Sequence, residues 1–206
     1  MPSNASETAT TSRPPLLATA TQALKIVVVG GFGVGKTTMV GSVSEIRPVR
    51  TEETMTEASA GIDDASRVQD KVATTAAFDF GRITLDEHQV LYLFGAPGQQ
   101  RFWFLWDQLF VGSLGAVVLV DTRRLADSWY SVDRLEHHGT PFVVAVNRFD
   151  DGPSLDQVRG ALDLSEEVPL LECDARQRQS CTSVLISLIK HLQDLPTQPA
   201  VSEGMS

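Results

Sequence analysis

Gly30, Gly31, Gly33 and Gly35 crowd into six consecutive residues, and Lys36, Thr37 and Thr38 follow at once. Directly before them runs LKIVVV, an apolar stretch with the look of a buried strand. Glycine belongs where a backbone turns sharply or lets another group come close, because it lacks a Cβ. A glycine-rich exit from a strand into a helix is a phosphate grip: backbone N–H groups converge on the anion and the helix N-terminus adds partial positive charge. Gly30, Gly35, Lys36 and Thr37 occupy the fixed positions of G-x-x-x-x-G-K-[ST], with Phe32 and Val34 at free ones. In that pattern Lys36 reaches the β- and γ-phosphates and the Thr37 hydroxyl holds Mg²⁺. The chemistry specified is nucleoside triphosphate binding, with the base still open.

Four further stretches follow strands on the same side. Asn147-Arg148-Phe149-Asp150 closes PFVVAVN. An aspartate there accepts hydrogen bonds from guanine N1–H and the 2-amino group; adenine offers neither donor and leaves the carboxylate buried and unpaired. Asn147 can contact N7 and tie back to the phosphate loop. Cys173-Asp174-Ala175-Arg176 follows a sixth strand, where the Ala175 N–H can donate to guanine O6. FGAPGQQRF places Gly98 where its N–H approaches a γ-phosphate and Gln99 where it orients the attacking water. TTAAFDF supplies a threonine hydroxyl for the Mg²⁺ shell. The first three also have plainer descriptions: a turn after a strand, a helix cap, a Pro-Gly turn.

The elements that position these residues alternate. Strands are predicted at 24–30, about 78–85, 89–94, 115–121, 141–147 and 169–173, four of them near-continuous apolar runs of the kind covered on both faces. A hairpin is predicted at Asp86-Glu87. Helices are predicted after the phosphate loop and at about 100–111, 125–138, 155–162 and 180–193. The fold expected is α/β: a three-layer, doubly wound P-loop NTPase sheet, mostly parallel with one antiparallel edge strand. The domain spans 23–194, between tails at 1–22 and 195–206 whose Ser, Thr, Ala and Pro content reads as disordered. Residues 44–76 break the rhythm, with no strong period and an excess of acids.

Among 206 residues the net charge is −9, which disfavours a nucleic-acid or anionic-membrane surface. No apolar run approaches the ~18 residues of a membrane span, and the N-terminal stretch reads as neither a secretory signal nor a myristoylation site. Cys173 and Cys181 suit a reducing cytoplasm, where the chain is expected, with any membrane contact made through partners. With His88, His137, His138 and His191 they show no metal-ligand spacing.

Together these residues resemble the Ras-like small GTPases, in particular the bacterial gliding-motility type and the actinobacterial conservon GTPases, over roughly residues 24–193. The resemblance puts the nucleotide motifs on 30–37, Thr75, 95–98, 147–150 and 174–176. It implies binding of GTP and GDP with Mg²⁺ on Thr37 and Thr75, and slow hydrolysis using Lys36, Thr75 and Gln99. It also implies two switch segments, about 44–76 and 95–111, and as partners a roadblock-type dimer and a membrane sensor kinase. Three positions depart from the pattern. Gly95 stands where the third motif has Asp, with Asp79 and Asp121 as possible substitutes. Arg148 stands where the base motif has Lys, able to stack over the base. Thr74 stands where the gliding type has an arginine, leaving Arg67 and Arg101 as the nearest cations. The alternative reading is a degenerate nucleotide-binding scaffold with little or no turnover.

RFWFLWDQLF, residues 101–110, puts Phe102, Trp106 and Phe110 on one helical face toward the core, with Trp103 and Leu105 pointing elsewhere; core packing alone accounts for the stretch as well as a partner surface does. The base motif yields a direct prediction. Asp150→Asn weakens GTP binding and partly admits xanthosine triphosphate, whose 2-oxo group wants a donor. Equilibrium titration with both nucleotides checks this, and unaltered GTP affinity would remove Asp150 from base selection.

Overall fold

The computed structural model of the chain describes residues 22–47, 49–56, 73–148 and 152–195, with backbone alone for 49–56, 73–77 and 100. Apart from Gln22 and Leu195, both expected tails lie outside the described residues. The strands are β1 (Gln22–Val29), β2 (Val49–Thr56), β3 (Ala73–Thr84), β4 (Gln89–Gly95), β5 (Gly115–Asp121), β6 (Phe142–Asn147) and β7 (Leu170–Cys173). The helices are α1 (Lys36–Val43), α2 (Trp106–Phe110), α3 (Ala126–His138), α4 (Leu155–Ala161) and α5 (Arg178–Asp194), with 3₁₀ turns at Gln100–Leu105 and Thr122–Arg124.

The strands form one sheet in the order β2-β3-β4-β1-β5-β6-β7. β1 pairs in parallel with β4 and β5, and β5-β6-β7 continue in parallel; β3 runs antiparallel to both β2 and β4. Alternate residues feed two cores, as a period of two requires. Ile26, Val28, Val117, Leu119 and Val143 pack against Met39 of α1 and Val184 and Leu188 of α5. Val27, Val29, Val118, Val144 and Val146 pack against Trp106, Val132, Leu135 and Val158 of α2, α3 and α4. Burial on both faces is why β1, β5 and β6 read as near-continuous apolar runs. Cys173 and Cys181 are free and buried in the α1–α5 core.

The expected architecture is present, with one strand running opposite to the rest. The hairpin turns at Asp86, whose Oδ1 accepts from the N–H of His88 (2.7 Å) and of Gln89 (2.8 Å). Two details are corrected. Residues 44–76 contain a strand, β2, and the start of β3, paired from Val49↔Phe80 to Thr56↔Ala73. The opposite-running strand therefore lies one place in from the edge. The polar sequence of β2 carries little local signal, because its ladder bonds are supplied by β3. The helix expected over 100–111 begins as a 3₁₀ turn and becomes α-helical only at Trp106.

With β1, β5, β6 and β7 parallel, the exits after Val29, Asp121, Asn147 and Cys173 open at one end of the sheet. β1 hands on to neighbours on opposite sides there, the place where open α/β sheets bind ligands. The packing predicts that Leu188→Ala, which empties a fully buried site facing β5, lowers unfolding free energy by about 2–5 kcal/mol in urea. A loss below about 1 kcal/mol would contradict the core described.

Candidate functional site

The loop leaving β1 is wedged between three other strand ends. Gly30, Gly33 and Gly35 have φ of +137°, +75° and +108°. A Cβ on Gly30 would lie 2.3 Å from the Leu119 carbonyl oxygen, and one on Gly35 would lie 2.8 Å from Asn147 Nδ2. Asn147, 5% exposed, donates from Nδ2 to the Val34 carbonyl (2.9 Å) and accepts at Oδ1 from the Ala175 N–H (3.1 Å). Lys36 Nζ folds back to donate to the carbonyls of Gly30 (2.9 Å) and Gly31 (2.7 Å). Burial pushes its ammonium down to about 8, with Asp79 pulling the other way. A phosphate beside it would supply the missing counter-charge.

Thr37 Oγ1 donates to Asp79 Oδ2 at 2.5 Å. Asp79 pairs with Gly95 across the β3–β4 ladder, and a Cβ on Gly95 would lie 3.0 Å from Asp79 Cβ and 3.2 Å from its Oδ2. The Asp79 carboxylate, from the adjacent strand, thus occupies the room that a larger residue at 95 would need. A hydroxyl and a carboxylate side by side next to the phosphate loop are hard oxygen donors of the kind that suit Mg²⁺. Asp121 is excluded from that task. Its carboxylate accepts from Arg123 Nε (2.9 Å), Nη2 (2.8 Å) and backbone N–H (3.0 Å), and the Arg123 side chain holds it well below the usual carboxylate range. Thr75 is placed as backbone only, opposite Thr54 in the β2–β3 ladder; its side chain lies outside what is described.

Gly98 closes the cleft, since a Cβ there would lie 2.6 Å from Lys36 Nζ and 2.8 Å from the Gly31 carbonyl oxygen. Gln99 and Arg101 line the same cleft of about 420 Å³ with Phe32, Thr37 and Thr38. Trp106, fully buried, donates from Nε1 to the Pro97 carbonyl (3.1 Å), fixing the segment just before Gly98. Phe102, Trp106 and Phe110 are buried as expected, but Leu105 is buried too, packed with Phe102. The 3₁₀ turn explains it, because residues i and i+3 eclipse. Trp103 does not project freely: it stacks on Tyr130 of α3 at 3.6 Å between ring centroids. Phe104 is the exposed aromatic of the stretch, at 56%.

On the base side Asp150 lies outside the described residues. Arg148 is held by Glu172 (Nε–Oε1, 2.9 Å) and the Pro153 carbonyl (Nη1, 2.9 Å) rather than standing free. The Ala175 N–H, expected to face a base, is occupied by Asn147. Asp174 accepts from Arg176 Nε (2.9 Å) and backbone N–H (3.0 Å), which holds its carboxyl far below the ordinary range and stiffens the 174–176 turn. Sequence reasoning missed a brace on the outside of the phosphate loop. Arg124 Nη2 donates to the Phe32 carbonyl (2.8 Å), and a Cβ on Gly31 would meet Asp127 Cβ at 2.8 Å. The signal was the charged run DTRRLAD, which starts at the last residue of β5. The cleft geometry predicts that Gly98→Ala, whose Cβ would press on the Gly31 backbone, lowers triphosphate affinity at least tenfold in protein that still unfolds cooperatively, read by nucleotide titration beside thermal unfolding. Wild-type affinity would show that Gly98 does not border the bound phosphates.

Comparison with known proteins agrees with this geometry. An uncharacterized protein of Methanocaldococcus jannaschii is 28% identical over 131 residues, covering 63% of this chain and 72% of that protein. The solved G-domain of FeoB from Methanococcus jannaschii superposes with a TM-score of 0.55 at 14% identity, covering 84% of this chain and 99% of that one, a likeness of fold. The model of a family described as conserved hypothetical ATP binding protein matches residues 28–153, from the end of β1 past the phosphate loop, the Gly98 loop and Asn147. Since that match takes in more than half of the 206 residues, the chain belongs to this family of nucleotide-binding P-loop proteins.

Proposed function

We propose that the chain is a GTP-binding molecular switch with slow, Mg²⁺-dependent GTP hydrolysis, working in the cytoplasm. The observation that carries the reading is Asn147. That one buried amide, three residues before Asp150, ties the phosphate loop at Val34 to the 174–176 turn at Ala175. This ties a phosphate grip to the strand end where the sequence puts Asp150, a carboxylate of the kind that suits guanine, although the family description names ATP. On binding, the Lys36 ammonium exchanges the carbonyls of Gly30 and Gly31 for β- and γ-phosphate oxygens. Thr37 and Asp79, joined by Thr75, would hold Mg²⁺, which when bound neutralises charge on the phosphates. Gly98 donates its N–H to the γ-phosphate, and Gln99 orients the attacking water.

Slow turnover is supported by the cations present. Arg101 is the one arginine lining the cleft among the described residues, and its guanidinium lies over the Phe102 ring at 4.8 Å. An arginine aimed at the γ-phosphate is worth about 10³–10⁵ in rate where it exists. The same observation favours the second reading, a nucleotide-holding scaffold with little turnover. As a switch, the chain would signal through 44–76 and 95–111 to a roadblock-type dimer and a membrane sensor kinase.

Competition of GTP against ATP at fixed Mg²⁺ tests the base; a preference of about 10²-fold or more for GTP is expected. Equal affinities would sink the guanine reading, and a preference for ATP would replace it with the adenine one. Asp79→Asn is predicted to raise the Mg²⁺ concentration for half-maximal triphosphate binding by about 10–100-fold. An unmoved Mg²⁺ titration would show that Asp79 only buttresses Thr37.

A further inference from the structure

At the end of the sheet where β1 begins and β3 turns into β4, an apolar groove of about 500 Å³ runs along α5. Leu24, Ile83, Leu85, Leu91, Ile186 and Ile189 line it. Leu85 and Ile186 are 48% and 50% exposed, so large aliphatic side chains face outward on both sides of the depression. Contiguous apolar surface of this kind marks a place where something binds. None of these residues takes part in the nucleotide site.

We infer that the groove is occupied by the chain's own segment preceding β1, with Leu16 and Leu17 as the inserted side chains. The start of β1 lies on the groove itself: Gln22 pairs with Gln89, which lines it, and Leu24 supplies part of its wall. Leu17 stands five residues before Gln22, within a reach of about 17 Å for extended chain. Residues 14–18, PPLLA, hold the only leucines in residues 1–21, where no isoleucine, valine or aromatic occurs. The segment beyond α5, residues 196–206, offers one valine and one methionine and no leucine. Pro14 and Pro15 also restrict the unbound conformations, which lowers the entropy lost on docking. Being tethered on the rim, the segment is present at a high effective concentration that a free partner has to exceed. The expected disordered tail would thus be anchored at its last turn of sequence and free before it.

Cross-linking in the full-length chain decides this. With Leu17→Cys and Ile186→Cys together, mild oxidation by oxidised glutathione is expected to give a 17–186 disulfide within one chain, identified by peptide mapping and insensitive to dilution. The buried Cys173 and Cys181 stay reduced. Leu17→Cys paired with Ser183→Cys, on an exposed part of α5 outside the groove, is expected to cross-link at least tenfold more slowly. Disulfides between chains that form faster at higher concentration would assign the groove to a second copy and overturn the inference. Absence of the 17–186 disulfide in protein that retains its helical circular dichroism would also overturn it, as would equal rates for the two pairs. Independently of cross-linking, Leu16→Asp with Leu17→Asp is expected to raise binding of an apolar dye several-fold without altering nucleotide affinity; unchanged dye binding counts against docking.

Discussion

The buried amide of Asn147 is the joint on which the site rests. It satisfies the Val34 carbonyl from one side and the Ala175 N–H from the other, so two loops from distant parts of the chain share one anchor at the end of β6. An unmet buried partner on either side would cost about 1–3 kcal/mol, which keeps the three segments together. The same side chain leaves no room for a Cβ at Gly35, so the glycine and the asparagine require each other. The neighbouring sheet imposes a similar demand at Gly30, where the Leu119 carbonyl sits against the loop. Phosphate-binding geometry here depends on packing at close quarters and on the residue that fits it.

Around that anchor, strand register places carboxylates that the local sequence does not. Asp79 reaches Thr37 because the β3–β4 ladder sets it opposite Gly95, and the missing side chain at 95 leaves space for it. An acid sixteen positions before Gly95 in the chain is thereby set beside it in space. Asp121, at the end of β5, is consumed by Arg123, and its companion Arg124 holds the phosphate loop from outside. Two aspartates near one loop are thus separated into different tasks by which arginine or hydroxyl lies beside each.

The segment after Gly98 is clasped to α3. Trp103 stacks on Tyr130, and Asp107 accepts hydrogen bonds from Arg134 and His138, with Arg134 foremost in holding its carboxyl below the usual range. Exposed ion pairs of this type contribute little; the stacked rings and the buried Trp106, bonded to Pro97, carry most of the attachment. The weaker element is the 3₁₀ turn over 100–105, whose strained hydrogen bonds are easier to reorganise than those of an α-helix.

Much of this was legible in the residues themselves. Strands β1, β5 and β6 were readable because cover on both faces leaves Ile26–Val29, Ala116–Val120 and Phe142–Val146 wholly apolar, and the phosphate loop because its positive φ angles and close contacts admit only glycine. The Asp86 hairpin was readable for a similar local reason, a side chain bonding its own turn. β2 was not, since a polar edge strand is defined by the hydrogen bonds its neighbour offers. Leu105 was misplaced because the turn it sits in is 3₁₀, a choice made by the packing of Phe102 and Trp106. Asp79 could be named as a candidate but not chosen over Asp121, and the Asp107–Arg134 pair spans 27 positions with no local pattern to announce it. Conformation and burial act on each residue where it stands, so sequence determines them position by position. Register between strands and contacts between distant helices are set by the sum of all the packing at once, and only the folded chain decides them.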